Sequence, residues 1–516
     1  TESAVLTITA PEVEHLYSIE KIQLANGGNA ASITFGNATF TNLGAETITV
    51  VGNTVNGGTN FIDASAVTNG AISTTGNTDT GDHDSIYGGG MNDTFTFSGT
   101  AALEDGDVID GNGGTDTIAL NADATVTATI DFDDVSDVEV IKIVTVDGVT
   151  GGVSTIVIDD NDASALLDPA AITFDGTGAT AHSIVFNNAG QDSQTTVFTI
   201  TGGTKVDTLK GSSGNDIISG GGTTTGDSLY GMSGNDSITG NAGADSIDGG
   251  AGNDIFDLES TLRMGADEFV GASGDDLYVV DNSMDKVIEL LDEGQDKVWV
   301  GIDEYYLPEN VEEMATFLET GISLHGNNKD NVISGNLGAD RIFGQGGGDV
   351  IYGGFGNDII SGGFGNDTIY GESGSDTFIF ELNSGNDIIE DFNAFEDFIL
   401  YEDEFFDLEL NFDSIVLEDG YRVISFSENS SMKFKTQARE SENIIENTNQ
   451  LNDGVVAYVP DGTKLDYGEN ALSLFENIDK SIEIFSLSIP EYFLKLKTTK
   501  GAAWSGNPIG VKADDV

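Results

Sequence analysis

No cysteine occurs in the 516 residues, so neither a disulfide nor a thiolate-bound metal can staple this chain. Basic residues are scarce: 19 Lys and Arg against 88 Asp and Glu leave a formal charge of −69. That balance excludes nucleic acid and anionic membrane surfaces as direct partners and calls for a cationic one. No run of 18 or more apolar residues is present, so no transmembrane segment is expected, and a pore-forming toxin would need such segments. The four histidines, His15, His83, His182 and His325, are scattered, and none begins the H-E-x-x-H of a zinc protease. No G-x-S-x-G nucleophile elbow occurs either. The chain begins at Thr1 without a basic-plus-apolar leader, which fits processing or export without an N-terminal signal.

What is abundant is glycine, aspartate and a period. With 38% hydrophobic residues, 28 Phe and 13 Tyr, the chain is too apolar for a solvating acidic coil. From Gly202 it reads GGTKVDTLK, GSSGNDIIS, a longer variant around Asp227, then GMSGNDSIT, GNAGADSID and GGAGNDIFD. These phrases place Asp207, Asp216, Asp227, Asp236, Asp245 and Asp254 nine apart, with one two-residue insertion. A shorter echo follows at Asp267 and Asp276. A second array from Gly335 places Asp340, Asp349, Asp358, Asp367 and Asp376 nine apart, and a degenerate block pairs Asp84 with Asp93 and Asp107 with Asp116.

Two residues after these aspartates stands an apolar side chain, as at Ile86, Phe95, Ile118, Leu209, Ile238, Ile247, Ile351, Ile360, Ile369 and Phe378. That position is the expected interior. A helix needs apolar residues three and four apart, and each interior glycine costs it roughly 1 kcal/mol, so a helix is excluded. The geometry that remains is a short strand around D-x-U-x (U, apolar), a glycine turn and another short strand, coiling with the apolar residues inward. The phrase GDSL at 226–229 resembles the start of a hydrolase motif, but Asp227 and Leu229 already occupy the repeat's acidic and core positions.

If neighbouring coils stack about 4.8 Å apart, two carboxylates repel by roughly 3 kcal/mol at an effective dielectric of about 20. A row of them rivals the roughly 5–15 kcal/mol net stability of a domain. A hard cation relieves this, and calcium takes oxygens from carboxylates and backbone carbonyls, both of which the repeat supplies. One loop offers too few ligands, so an ion is expected between loops of neighbouring coils. Binding energy then becomes folding energy.

GGAGNDIFD, GGFGNDIIS and GGFGNDTIY match G-G-x-G-x-D-x-U-x, and the chain resembles the RTX proteins that carry this nonapeptide. The resemblance covers about 81–119, 202–279 and 325–397. It implies an all-β fold: calcium-bound parallel β-roll blocks flanked by further β-rich domains. It implies that Ca2+, as multiple ions, is bound by Asp84, Asp93, Asp116, Asp207, Asp216, Asp227, Asp236, Asp245, Asp254, Asp276, Asp340, Asp349, Asp358, Asp367 and Asp376. Carbonyl ligands would come from Gly214, Gly234, Gly243, Gly250, Gly252, Gly338, Gly347, Gly354, Gly356, Gly363, Gly365 and Gly374. The pattern departs where Met91 and Lys205 replace the fourth-position glycine and where the insertion precedes Asp227.

The expected organisation is an N-terminal β-rich domain (1–80), degenerate repeats (81–119), a β-rich domain (120–201), a roll (202–279), an inter-roll segment of strands or one short helix (280–324), a roll with cap (325–400) and a C-terminal segment (401–516). The strands of 1–80 and 120–201 read as antiparallel or solenoid-like. Nine of the 19 basic residues lie beyond residue 432, and SIEIFSLSIPEYFLKLK at 481–497 suits a strand pair or an amphipathic stretch. The resemblance places a type I secretion signal in this region, against a cap or assembly domain. RTX rolls accompany enzymes, toxins, adhesins and surface-layer proteins, so function rests on the remainder. The Thr-, Ala- and Val-rich first 200 residues resemble RTX surface-layer proteins. The expectation is a non-enzymatic, secreted structural protein of the bacterial cell surface that folds and self-associates into a lattice or filament on binding extracellular calcium, with a cell-surface polysaccharide as a further partner. The alternatives are a secreted polysaccharide-modifying enzyme or a fragment of a large adhesin.

Overall fold

An apolar side chain every nine residues, each followed by a glycine turn, can be buried continuously only if successive strands lie on opposite sides of one core. The computed structural model has this arrangement. It describes residues 84–98, 107–122, 135–145, 171–179, 183–187, 197–222, 226–258, 265–381, 384–393 and 396–403. Outside these it describes the strand segments and short stretches at 4–8, 21–23, 31–35, 47–51, 60–67, 71–75, 127–131, 153–159, 416–418, 421–427, 430–434, 455–460, 481–486 and 494–499. Among the described residues there is no helix, and so none long and apolar enough to cross a membrane.

The chain divides into two compact units, one formed by residues 1–278 with 284–288 and the other by 279–283 with 289–516. In each, alternate strands join alternate parallel sheets. In the first unit Ser183–Asn187, Thr208–Lys210, Ser228–Ser233, Ser246–Ala251 and Glu268–Ser273 follow one another in one sheet. The intervening Val197–Thr201, Ile217–Ser219, Ser237–Thr239 and Ile255–Phe256 pair in the other. In the second unit Ser323–His325, Arg341–Phe343, Ile359–Ser361 and Thr377–Glu381 form one sheet, while Val332–Ser334, Val350–Phe355 and Thr368–Ser373 belong to the other. A nonapeptide is thus half a coil of a parallel β-solenoid.

The register stacks like on like. Leu229 lies opposite Leu209 and Ile247, Ile351 opposite Ile333 and Ile369, and Ile360 opposite Ile342 and Phe378. These side chains are buried, together with Ile86, Phe95, Ile109, Ile118, Ile218, Ile238 and Phe256. The residue two after each aspartate is the core, as expected. The described strands of 120–201 also pair in parallel, Val140–Thr145 with Ala171–Asp175 and Ala171–Asp175 with Val197–Thr201, so the solenoid-like alternative holds there and the antiparallel one does not. Residues 280–324 hold strands, including Lys297–Val300 and Glu313–Thr316 in parallel. Antiparallel pairing occurs late in the chain, between Tyr421–Ser427 and Ser430–Phe434 and in the strand pair Ser481–Ser486 with Leu494–Thr499.

Ile351 is fully enclosed between identical neighbours, so truncation leaves a cavity that flanking coils cannot close. Ile351→Ala is expected to lower stability by about 2–5 kcal/mol in denaturant unfolding at saturating calcium. The exposed Val332→Ala on the adjacent strand is expected to change it by less than about 0.5 kcal/mol.

Candidate metal centre

Every repeat aspartate sits where a glycine turn enters a strand, and every one is buried. Burying carboxylates in rows requires partners, and the first is the backbone. Asp216 donates its N–H to Oδ1 of Asp236 at 2.6 Å, and Asp236 donates to Oδ1 of Asp254 at 2.7 Å. On the opposite side of the coil Asp207 donates to Asp227, which donates to Asp245, both at 2.7 Å. Asp340 to Asp358 and Asp349 to Asp367 repeat the bond at 2.8 Å, and Asp358 to Asp376 at 3.0 Å. Asp93 to Asp116 at 2.6 Å and Asp254 to Asp276 at 2.7 Å belong to the same series, as does Asp84 to Oδ1 of Asp107 at 2.8 Å. The aspartate carbonyl is tied to the next coil as well: Ser237 N–H donates to the Asp216 carbonyl at 2.8 Å. One carboxylate oxygen therefore closes a hydrogen-bonded ladder that runs along the coils.

The second oxygen divides the aspartates into two groups. Oδ2 accepts a backbone N–H from the residue four earlier in Asp93 (Gly89, 2.6 Å), Asp207 (Gly203, 2.6 Å), Asp216 (Ser212, 2.6 Å), Asp340 (Asn336, 3.1 Å) and Asp397 (Asn393, 2.6 Å). In Asp116, Asp227, Asp236, Asp245, Asp254, Asp349, Asp358 and Asp367 it is buried with no hydrogen-bond partner. The loops differ accordingly. In the second group, wherever it is described, the residue four before the aspartate is left-handed: Asn112 (φ 67°), Met232 (80°), Asn241 (71°), Gly250 (100°), Gln345 (76°), Gly354 (103°) and Gly363 (94°). The glycine two before the aspartate also has positive φ, at Gly114, Gly234, Gly243, Gly252, Gly347, Gly356 and Gly365. The left-handed turn rotates the N–H away from Oδ2. Gly214, Gly338 and Gly374 lie outside this positive-φ set.

The first glycine of each nonapeptide faces Oδ2 of its aspartate, in the capped group as in the orphaned one. A Cβ on Gly353 would lie 2.7 Å from Oδ2 of Asp358 and 2.8 Å from the carbonyl oxygen of Gly371, so a side chain there would displace one of them. Carboxylate and carbonyl oxygens from neighbouring coils converge with neither sulfur nor imidazole, a donor set that fits a hard cation. Burial, reinforced by neighbouring carboxylates, raises the carboxyls of Asp116, Asp254 and Asp358 to about 7 and those of Asp236, Asp349 and Asp376 to about 8. In Asp93, burial raises the carboxyl while the N–H groups of Gly89 and Ile72 oppose the rise.

The ladder also includes residues outside the expected ligand set, two of them, Asp107 and Asp267, already marked by the repeat. Asp107, Asp267, Asp387 and Asp397 accept rungs from Asp84, Asp245, Asp367 and Asp376. Asn331 takes the place of an aspartate: its N–H donates to Oδ1 of Asp349 at 2.8 Å, and its Oδ1 accepts from Asn327 at 2.9 Å. The D-x-U spacing marks Asp387 with Ile389 and Asp397 with Ile399, and N-x-U marks Asn331 with Ile333. A search for the glycines passes over them.

The family model for the RTX calcium-binding nonapeptide repeat, four copies long, matches residues 102–125, 199–222, 221–256, 323–351, 343–378 and 352–389. No curated protein is similar enough in sequence to count as a relative. Among solved structures, the extracellular lipase LipA from Serratia marcescens is similar at 17% identity and a TM-score of 0.20, over 48% of this chain. The match spans 39% of the lipase.

Carboxyls whose folded pKa lies above the unfolded value favour folding below about pH 4, and that contribution is lost as pH rises through about 7–8. With chelator present, the thermal midpoint is expected to fall steadily from pH 5 to pH 8; a rise over that range would contradict the assigned burial. Gly353→Ala is expected to raise the calcium concentration needed for the β-sheet circular dichroism signal, with Gly348→Ala, which has no neighbour closer than 3.4 Å at its Cβ, as the milder control.

Proposed function

The chain is an RTX repeat protein whose nonapeptides bind multiple Ca2+ ions, and from that premise we propose that it is a secreted structural protein of the bacterial cell surface that folds and assembles on meeting extracellular calcium. The observation that carries the calcium-dependent part is the row of buried aspartate Oδ2 atoms without hydrogen-bond partners, each facing a glycine turn. Apolar surroundings make an uncompensated carboxylate costly, and a divalent ion replaces the missing donors. The ligands in this reading are those Oδ2 atoms together with carbonyl oxygens of the glycine loops.

RTX repeat proteins are typically exported by a type I route. Free calcium is scarce in cytosol and roughly millimolar outside many cells, so a chain held open by its own carboxylates folds after export. The surface role is supported by composition: a Thr-, Ala- and Val-rich N-terminal 200 residues and a chain without H-E-x-x-H or G-x-S-x-G. Neighbouring subunits, each carrying a large negative charge, would then be joined through calcium and not through direct ion pairs.

Calcium-loaded full-length chain is expected to form ordered lattices or filaments under negative-stain electron microscopy and to disperse on chelation. A monodisperse monomer at millimolar calcium would refute the assembly, and turnover of a polysaccharide substrate would replace the structural role with an enzymatic one. Circular dichroism supplies a separate check, since unchanged β-content in chelator would remove calcium-driven folding.

A further inference from the structure

The split among the aspartates follows from what lies beneath each loop. Oδ1 of Asp93, Asp207, Asp216 and Asp340 accepts its rung from Ile72, Ile184, Phe198 and Ile322, residues of coils that lack the nonapeptide. Oδ1 of Asp116, Asp236, Asp245, Asp254, Asp349 and Asp358 accepts its rung from another ladder residue. Where a loop stacks on a loop, position four settles against the backbone below: a Cβ on Gly356 would collide with the carbonyl of Gly338, and one on Gly234 with that of Gly214. Where the loop below is not a nonapeptide, the turn stays out of the left-handed region and gives its own N–H to Oδ2, although Gly338 there lies just as close to the Thr320 backbone.

We propose that the first nonapeptide loop of each stack is an ion-free coil closed by its own backbone. Asp207, Asp216 and Asp340 match the repeat but are not calcium ligands through Oδ2. The N–H of Gly203, Ser212 or Asn336 occupies the oxygen an ion would need, and Ser212 adds its hydroxyl at 3.0 Å from Oδ2 of Asp216.

Asn331 supplies an independent observation. In this loop the aspartate is already an asparagine, buried, with Asn327 donating to its Oδ1 and its own Nδ2 donating to the Val311 carbonyl at 3.3 Å. Asn327 Nδ2 donates to the Pro308 and Val311 carbonyls at 2.7 and 2.8 Å. Amide hydrogens here fill the role a cation has elsewhere, and the carbonyls they satisfy are not free for one. A closed first loop tolerates loss of the charge because it never used the charge to hold metal. Each closed loop presents a preformed backbone on which the next loop docks.

This inference rests on the calcium reading above, and the test separates the two. Native mass spectrometry of the full chain counts bound calcium, and circular dichroism at saturating calcium checks that each variant folds. Asp236→Asn and Asp358→Asn keep an Oδ1 acceptor for the ladder but place an amide nitrogen where Oδ2 was. They are expected to lose bound ions and to raise the calcium midpoint of folding by about 10-fold, the scale of disturbances at a metal's ligand shell. Asp216→Asn and Asp340→Asn are expected to keep the wild-type ion count, and Asn331→Asp to add no ion. A count lowered by Asp340→Asn as much as by Asp358→Asn, or an ion gained by Asn331→Asp, would overturn the inference while leaving calcium binding intact. A wild-type chain that binds no calcium would overturn the reading beneath it.

Discussion

Everything in the repeat blocks depends on a carboxylate that serves two coils at once. Its Oδ1 receives the N–H of the aspartate one coil back, while its Oδ2 is turned into the glycine loop. The first bond fixes the stacking of coils independently of any ion. The second oxygen creates a buried charge that a backbone N–H satisfies at the start of a stack, as at Asp216 and Asp340, and again at Asp397 near the far end. Aspartate is suited to both tasks because its short side chain presents two oxygens in fixed geometry. Asparagine supplies one acceptor, and at Asn331 it appears in a loop where an amide donor is useful.

The glycines follow from this constraint. An N–H that capped Oδ2 in every loop would leave nothing to hold an ion, so the turn beneath the orphaned oxygens is left-handed even at Met232 and Gln345. Such conformations cost a side chain of order 1 kcal/mol each and persist where the surroundings impose them. Stacking imposes them here. The close approach of Gly356 to the Gly338 carbonyl leaves no space for a Cβ, and the Thr320 backbone crowds Gly338 in the same way.

These dependencies explain what was legible in the sequence. The apolar residue two after each aspartate identified the core, because burial acts on side chains in a fixed period; Ile360 and Phe378 lie where the period puts them. The parallel solenoid followed from the resemblance and the short spacing. The aspartates were legible as a buried acidic set, but the two uses of each carboxylate were not. Ser212 and Gly250 occupy the same motif position with opposite turn handedness, and Asn336 and Asn241 do so with the same residue type. The difference lies in the coil underneath, 18 or more residues earlier, which no local pattern records. Asp387 and Asp397 were overlooked because their loops lack the full glycine signature, although their D-x-U spacing survives.

Coil length is less constrained than loop geometry. The aspartate ladder spans steps of 18 residues from Asp236 to Asp254, 20 from Asp207 to Asp227 and 22 from Asp245 to Asp267, with bonds of 2.7, 2.7 and 2.8 Å. Across steps of different length the strands stay pinned by Asp-to-Asp bonds and by the core. Coils without the nonapeptide keep the same parallel pairing by another means: Phe174, Phe186 and Phe198 are fully buried, with ring centroids 4.3 and 6.4 Å apart. Such coils bury large aromatic area. Phe198 then donates its N–H to Asp216, which joins an aromatic coil directly to the first closed loop. The solenoid thus passes from an aromatic core, through a loop sealed by backbone hydrogen bonds, to loops whose buried carboxylate oxygens lack a protein donor, and each segment supplies the surface on which the next is built.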